Sequence, residues 1–285
     1  MSCGQIALNR IGITPEVYYA SELDKYAIKV TQANYPNTVQ LGDVTQWREW
    51  GIDWASIDLL IGGSPCQGFS FAGKQLAFDD PRSKLFFVYV DILNHIKSVN
   101  PNVKFMLENV KMKKEYLAVI SEQLGVEPVF INSALVSAQN RQRYYWCNWE
   151  VGKPEDKGVV LSDILESSVG AKYDLSDKLM NGFYNKKGSF NGRFKPMNPS
   201  VNQKSFCLTA RYFKCGISDP YVLTEKSGGN HFGLSARKLT PIECERLQTV
   251  PDNYTNHVSN TQRYKMLGNG WTVDVIVHIF SQSLI

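Results

Sequence analysis

Ile57-Asp58-Leu59-Leu60-Ile61, an almost unbroken apolar run ending at Gly62-Gly63, constrains the fold of this chain more than any other segment. A strand with one wetted face alternates apolar and polar residues. A strand covered on both faces has no such need, and strands of that kind belong to parallel sheets flanked by helices. The surrounding segments supply the rest of the pattern. Val17 to Glu22 reads as a short buried strand, and Asp24 is a good N-cap for a helix that runs to about Tyr35 and stops at Pro36. Val39 to Val44 reads as a second strand. From Ser83 onward, Leu85, Val88, Tyr89, Ile92 and Ile96 share one helical face. Lys104 to Leu107 is the next strand and Lys113 to Leu124 the next helix, followed by strand-like runs at Val129 to Val136 and Tyr144 to Trp149. Thr240, Pro241 and Glu243 form a helix start with N-cap, N1 proline and capping box, and Val273 to Phe280 reads as a closing helix. The alternation predicts an α/β fold around an open sheet.

With 285 residues, 43% hydrophobic and 20% charged, the chain can bury such a core without disulfides or metals. No stretch approaches the ~20 apolar residues that cross a bilayer. Met1-Ser2-Cys3-Gly4-Gln5 has no basic-then-apolar leader pattern, so a cytoplasmic protein without a membrane partner is expected. The six cysteines, at positions 3, 66, 147, 207, 215 and 244, form no CxxC pair, and only four histidines accompany them, so no metal site is expected.

The net charge of +4 conceals an uneven distribution. Between Lys178 and Lys238 eleven lysines and arginines face only Asp219 and Glu225, a local charge of +9 that leaves −5 for the rest. This segment is rich in Gly, Asn and Ser, and its aromatics interleave with the charges, as in Arg193-Phe194-Lys195 and Arg211-Tyr212-Phe213-Lys214. A basic, loop-rich lobe on an acidic body fits a polyanion partner, although a solvated basic surface would read the same way.

In an open parallel sheet, ligands sit beyond the carboxyl ends of the strands, which draws attention to Glu22, Asp43, Cys66 and Glu108. Glu22 and Asp43 could hydrogen-bond a ribose and a base amine. Cys66 lies between Pro65, which fixes the backbone, and Gly68, which keeps the loop open. A buried structural cysteine is the plain alternative. A nucleophilic one needs help to form thiolate. No histidine is near in sequence, which argues against a Cys-His hydrolase, and Arg141 and Arg143 could supply positive potential instead.

These residues also carry a family resemblance. Ser64-Pro65-Cys66-Gln67-Gly68-Phe69-Ser70 resembles the catalytic loop of the cytosine-C5 methyltransferases, and Glu108-Asn109-Val110 resembles their Glu-Asn-Val motif. Gln139-Asn140-Arg141-Gln142-Arg143 is similar to their Gln-x-Arg-x-Arg motif. Arg237 to Glu243, Arg246-Leu247-Gln248, Pro251 to Tyr254 and Gln262 to Gly270 resemble the two late blocks. The motifs occur in family order and cover most of the chain outside the basic lobe, which makes the set specific where Glu-Asn-Val alone would not be.

The resemblance implies a Rossmann-like S-adenosylmethionine-dependent fold with a smaller, loop-rich target-recognition lobe. It further implies transfer of a methyl group to C5 of a flipped-out cytosine in double-stranded DNA. Cys66 would attack C6, Glu108 would hold N3 and the exocyclic amine, and Arg143 with Arg141 would contact the base carbonyl. The cofactor would lie against Glu22, Leu23, Asp43, Val44, Pro65 and Asn269, with Ser2, Cys3, Gly270 and Trp271 also assigned to its pocket. Trp271 stands where many members have a smaller residue, as in the animal de novo branch, and plain core packing is its alternative.

DNA would meet Gln67 and Ser70 near the flipped base, and Lys186, Lys187, Arg193, Lys195, Arg211 and Lys214 in the lobe. Arg193, Arg211, Asn191 and Gln203 are the candidates for reading base edges. The expected division is a catalytic domain in two pieces, 1–150 and 236–285, with the lobe at 151–235. The expected setting is a bacterial or phage-infected cell, with a restriction endonuclease as a genetic partner.

The family opens with an apolar strand ending in Phe-x-Gly, whereas this sequence begins at Met1-Ser2-Cys3-Gly4. A first strand is therefore expected to be missing, its two neighbours left unpaired along their length, and the native chain is expected to extend upstream. Two alternatives stay open on sequence alone: a transfer-RNA cytosine-C5 methyltransferase, and a truncated, non-catalytic DNA-binding homologue.

Overall fold

The computed structural model describes residues 1–63, 84–185, 194–224 and 235–284. Its centre is a four-stranded sheet in the order β3 (Leu59–Gly63), β4 (Lys104–Val110), β6 (Gln142–Cys147), β5 (Pro128–Asn132). β3 and β4 run parallel, and β6 is antiparallel to both of its neighbours. A separate parallel ladder joins β1 (Tyr19–Ala20) to β2 (Val39–Gln40). Among the described residues β1 and β3 do not pair with each other.

The period of two along β4 divides the core. Phe105 and Leu107, with Trp146 of β6, face α3 (Lys84–Val99) and α4 (Lys114–Leu124), where Leu93, Ile96 and Ile120 are buried. Met106, with Tyr145 and Cys147, faces α1 (Cys3–Arg10) and α9 (Val273–Ser281), where Ile6, Ala7, Val275, Ile276 and Ile279 are buried. Helices on both faces make the three-layer α/β arrangement that the alternation predicts. The helix starts follow their caps. Asp24 accepts from the Tyr26 N–H at the start of α2 (Lys25–Asn34), and Thr240 accepts from the Glu243 N–H at the start of α7 (Pro241–Leu247).

Two expectations change. Leu59 and Ile61 pack against the α1–α9 core and Leu60 against the α3–α4 core, so both faces are covered, but all three are half-buried rather than buried because, among the described residues, β3 pairs on one side only. The expected strand at Val39–Val44 stops at Gln40, since Asp43 accepts from the Thr45 N–H and caps a 3-10 turn over Val44–Glu49. Helix α1 lies against both ladders: a Cβ added to Gly4 would meet Ile61 Cδ1 at 2.4 Å and the Tyr18 hydroxyl at 2.7 Å.

The lobe holds α5 (Leu161–Ile164), α6 (Asp177–Tyr184) and β7 (Tyr221–Thr224), which pairs antiparallel with β8 (Ser235–Lys238) at the start of the returning segment. Met180, Phe183, Phe194, Tyr221 and Ala236 form its own small core. Val151, Leu161, Ile164, Met197, Leu208 and Val222 instead join the main core, so the lobe shares an interior with the body. The β8–α7 junction is fixed by a buried ion pair in which Arg237 donates to both oxygens of Glu243 at 2.7 and 2.8 Å. The same carboxylate accepts the N–H groups of Thr240 and Glu166, which makes burial of the charge tolerable.

No helix among the described residues is long and apolar enough to cross a membrane.

The returning segment reaches the lobe at α8 (Asn260–Asn269), where a Cβ on Gly268 would lie 2.2 Å from the carbonyl carbon of Thr209. That is a backbone-to-backbone approach, which neither side can relax by rotating a side chain. Gly268→Ala is expected to destabilise the protein by about 1–3 kcal/mol. Urea denaturation checks this, and an unchanged midpoint would mean that the contact relaxes without cost.

Candidate active site

β3 and β4 end side by side, with Gly63 opposite Glu108 in the ladder. On the other side, Glu108 is opposite Tyr145 and Val110 opposite Arg143, so Arg143 is the diagonal neighbour on the face that Glu108 occupies. The register therefore delivers a carboxylate and a guanidinium to one point at the strand ends. Arg143 Nε lies 2.7 Å from Glu108 Oε1, and both side chains are nearly buried. The Nε–H is not directed at that oxygen, so the contact is an ion pair rather than an aligned hydrogen bond. Arg143 also donates through Nη1 to the carbonyl of Gln142 at 2.8 Å. The other carboxylate oxygen, Oε2, accepts from Trp271 Nε1 at 3.0 Å.

Arg141 has a different environment. It is buried, and its Nη1 donates to the Leu208 carbonyl at 3.0 Å and to Cys207 Sγ at 3.5 Å. Its Nη2 donates to the carbonyls of Gly268 and Gly270 at 3.1 and 2.9 Å. Burial, and the positive charge of Arg143, hold it below the ordinary arginine value without removing its charge. All four terminal N–H directions of this guanidinium thus meet the lobe and the returning segment. Sequence alone pairs Arg141 with Arg143 at the base carbonyl; the structure places only Arg143 beside Glu108.

Two buried amides complete the joint. Gln139 donates to the Leu247 carbonyl at 2.7 Å and to Gln248 Oε1 at 2.9 Å, and accepts from the Leu208 N–H. Gln248 donates to the Leu267 carbonyl at 2.6 Å and to the Gly270 carbonyl at 3.2 Å, while Thr272 donates to its Oε1. Both glutamines fall within family motifs, but the motifs alone give them no role. The signal for one is a fully buried side-chain amide whose donors and acceptor all find partners, a property of the fold rather than of the string.

Cys66, Pro65, Gln67, Ser70, Lys186, Lys187, Asn191 and Arg193 lie outside the described residues. Among the other thiols, burial pushes Cys3 and Cys244 up and raises Cys147 to about 12, so these three are protonated at neutral pH.

Glu22 follows β1 and its Oε1 accepts the N–H groups of Leu23 and Asp24, while the Ser21 hydroxyl donates to the Gly42 carbonyl. Asp43 Oδ1 accepts the N–H and hydroxyl of Thr45, which hold this exposed carboxyl below the usual range. Leu23 is 70% exposed, a large apolar side chain presented beside two carboxylates. Asn269 is exposed and Gly270 half-buried. Ser2 is at φ 57 and touches Thr31, and the Cys3 thiol donates to the Trp271 carbonyl at 3.7 Å.

In the lobe Lys195, Arg211 and Lys214 are exposed. Lys204 is not available to a partner: its ammonium donates to the carbonyls of Ala134, Ser137 and Val159. Gln203 is half-buried and donates to the Asn198 carbonyl. No group of three or more His, Cys, Asp or Glu is placed to hold a metal ion among the described residues.

A family model described as C-5 cytosine-specific DNA methylase matches residues 2–284. The Type II methyltransferase M1.ScrFI of Lactococcus lactis subsp. cremoris is 35% identical over 296 residues, covering 94% of this chain and 71% of its own. M.NlaX of Neisseria lactamica, also a Type II methyltransferase, is 34% identical, covering 93% and 87%. Among solved structures, the Entamoeba histolytica methyltransferase EhMeth superposes with a TM-score of 0.75 over 97% of this chain and 92% of its own, at 19% identity, a likeness of fold.

Arg141→Lys keeps the charge but loses the planar fork, so at least one of the carbonyls at 208, 268 and 270 is left without its donor. The expected cost is about 1–3 kcal/mol of stability, measured by chemical denaturation. Wild-type stability in this variant would show that the fork is dispensable.

Proposed function

The chain belongs to the C-5 cytosine-specific DNA methylases, and we propose that its reaction centre is built on Glu108, with Cys66 as nucleophile and Arg143 as the cation that orders the carboxylate. The activity is transfer of a methyl group to C5 of cytosine in DNA. The observation that carries the residue assignment is the Glu108 carboxylate at the strand end beside Gly63, with Arg143 Nε at 2.7 Å. Cys66 follows Gly63 by three residues, so chain length alone keeps their Cα atoms within roughly 11 Å.

Cytosine C5 is a poor nucleophile until electron density is pushed into the ring. Attack of the Cys66 thiolate on C6 forms a carbon–sulfur bond and leaves C5 with enamine character. Glu108 holds the exocyclic amine and delivers a proton to N3, so the negative charge that the thiolate pushes into the ring is neutralised as it gathers there. Arg143 orients Glu108 and reaches toward the base carbonyl. Once C5 carries the methyl group, loss of the C5 proton restores the double bond and expels the thiolate. None of this is possible on a stacked base, so the cytosine is flipped out of the duplex. Arg141 acts at one remove, by holding the Gly268–Gly270 backbone.

The family's methyl donor is S-adenosylmethionine, which supplies an electrophilic methyl group when bound. The residues present suit it. Glu22 and Asp43 lie in the loops just beyond the carboxyl ends of the paired parallel strands β1 and β2, where they offer acceptors to ribose hydroxyls and an adenine amine, and exposed Leu23 offers an apolar platform. We assign Val44, Pro65, Ser2, Cys3, Asn269, Gly270 and Trp271 to the rest of that pocket.

Double-stranded DNA is the partner. We divide the chain into a catalytic domain of 1–150 and 236–285 and a target-recognition lobe of 151–235. Lys195, Arg211 and Lys214, with Lys186, Lys187 and Arg193, meet phosphates, while Gln67 and Ser70 border the flipped base. A Type II setting pairs the chain with a restriction endonuclease encoded beside it.

Cys66→Ser is expected to abolish the covalent adduct with 5-fluorocytosine duplex DNA while leaving duplex affinity largely intact. An adduct that persists, or one that forms on transfer RNA and not on DNA, would overturn the assignment. Alanine at Lys195, Arg211 or Lys214 is expected to lower the salt slope of DNA binding by about one for each phosphate that is no longer neutralised. Slopes equal to wild type would remove these residues from the interface.

A further inference from the structure

We infer that Trp271 is a positioning residue for the methyl-transfer reaction: its indole N–H holds the Glu108 oxygen that Arg143 does not, and so fixes the plane of the carboxylate toward the target base. The inference deepens the reading of Glu108 as the reaction centre and rests on it.

A glutamate carboxylate has a soft terminal torsion, so contact on one side leaves it free to swivel. Glu108 is contacted on both sides. Arg143 Nε stands 2.7 Å from Oε1 without an aligned N–H, and Trp271 Nε1 donates to Oε2 at 3.0 Å. The aligned bond, which sets direction, is therefore the tryptophan's. Indole N–H is a donor only and carries no titratable proton at neutral pH, so it can orient a carboxylate without competing in proton transfer.

Trp271 is itself held from three directions. Its carbonyl accepts the Cys3 thiol, the preceding carbonyl of Gly270 accepts Arg141 Nη2 and Gln248 Nε2, and the following Thr272 hydroxyl donates to Gln248 Oε1. The space for the pair is made by Gly63. A Cβ there would lie 3.1 Å from Glu108 Oε2 and 3.2 Å from Trp271 Nε1, tighter than ordinary contact with both partners at once. Glycine at the end of β3 and tryptophan at the start of α9 are thus parts of one device, drawn from residues 208 positions apart in the chain.

Trp271→Phe keeps an aromatic ring and removes the N–H. Gly63→Ala keeps Trp271 and pushes a methyl group against the bond. Both are expected to lower kcat and the rate of adduct formation on 5-fluorocytosine DNA, on the order of tenfold to a hundredfold, with KM for DNA within about threefold of wild type. A purely structural role would instead lower stability and leave both rates unchanged in the folded fraction.

The contact has its own readout, independent of activity. In a 15N-labelled protein, the indole N–H resonance that disappears in Trp271→Phe is expected to move in Glu108→Gln. Failure of that resonance to move overturns the inference, as does wild-type kcat in both variants. A wild-type protein that forms no adduct on any 5-fluorocytosine DNA, with the resonance still responding, overturns the reading of Glu108 as the reaction centre and with it the role given to Trp271.

Discussion

The fan of hydrogen bonds around Arg141 is the interaction on which the rest of the architecture depends. The chain leaves the sheet after β6, builds a lobe, and returns as α7, α8 and α9, and nothing in local propensity tells the returning segment where to dock. One buried guanidinium reaches Leu208 in the lobe and Gly268 and Gly270 in the return. Gln139 and Gln248 add an amide bridge between the same parties. A buried charge whose terminal donors all find acceptors is tolerable, whereas the same charge with one partner withdrawn is costly, so the junction closes as a unit.

The chemistry hangs from that junction. Arg141 and Gln248 place Gly270, Gly270 places Trp271, and Trp271 meets Glu108 from the side opposite Arg143. Two arginines of one motif thus divide their labour because the strand begins between them. Residue 143 shares a sheet face with Glu108, while residue 141 lies beyond the strand end and turns into the joint. The lobe shows the same distinction between formal and available charge. Its +9 includes Lys204, committed to three backbone carbonyls, and Arg237, committed to Glu243. The charge that the lobe leaves free for a polyanion is correspondingly smaller than the sequence suggests.

Most of the fold was legible from hydrophobic period and capping. The helix behind Asp24, the amphipathic face from Leu85 to Ile96 and the Thr240 capping box all form where the pattern puts them, because each depends on residues within a few positions of one another. The failures share a cause. The run Leu59-Leu60-Ile61 is covered on both faces as the pattern requires but is only half-buried, since which strand borders β3 is a tertiary matter. The strand read through Val44 ends four residues early because the Asp43 side chain offers the backbone a competing partner. In the candidate site, Glu108 and Arg143 lie in motifs legible in the sequence, and the structure brings the two together. The inward turn of Arg141 and Lys204 and the bond from Trp271 were not, since each joins residues more than sixty positions apart or depends on which way a long side chain folds.

A reaction centre at the strand ends and a lobe that chooses the site together require methylation of cytosine C5 in duplex DNA at a defined sequence. Bisulfite sequencing of plasmid DNA recovered from cells expressing the chain reads this out. Protected cytosines are expected at one position of a single recurring sequence, absent from cells that carry the empty vector. A folded, well-expressed protein that leaves every plasmid cytosine convertible would contradict this expectation.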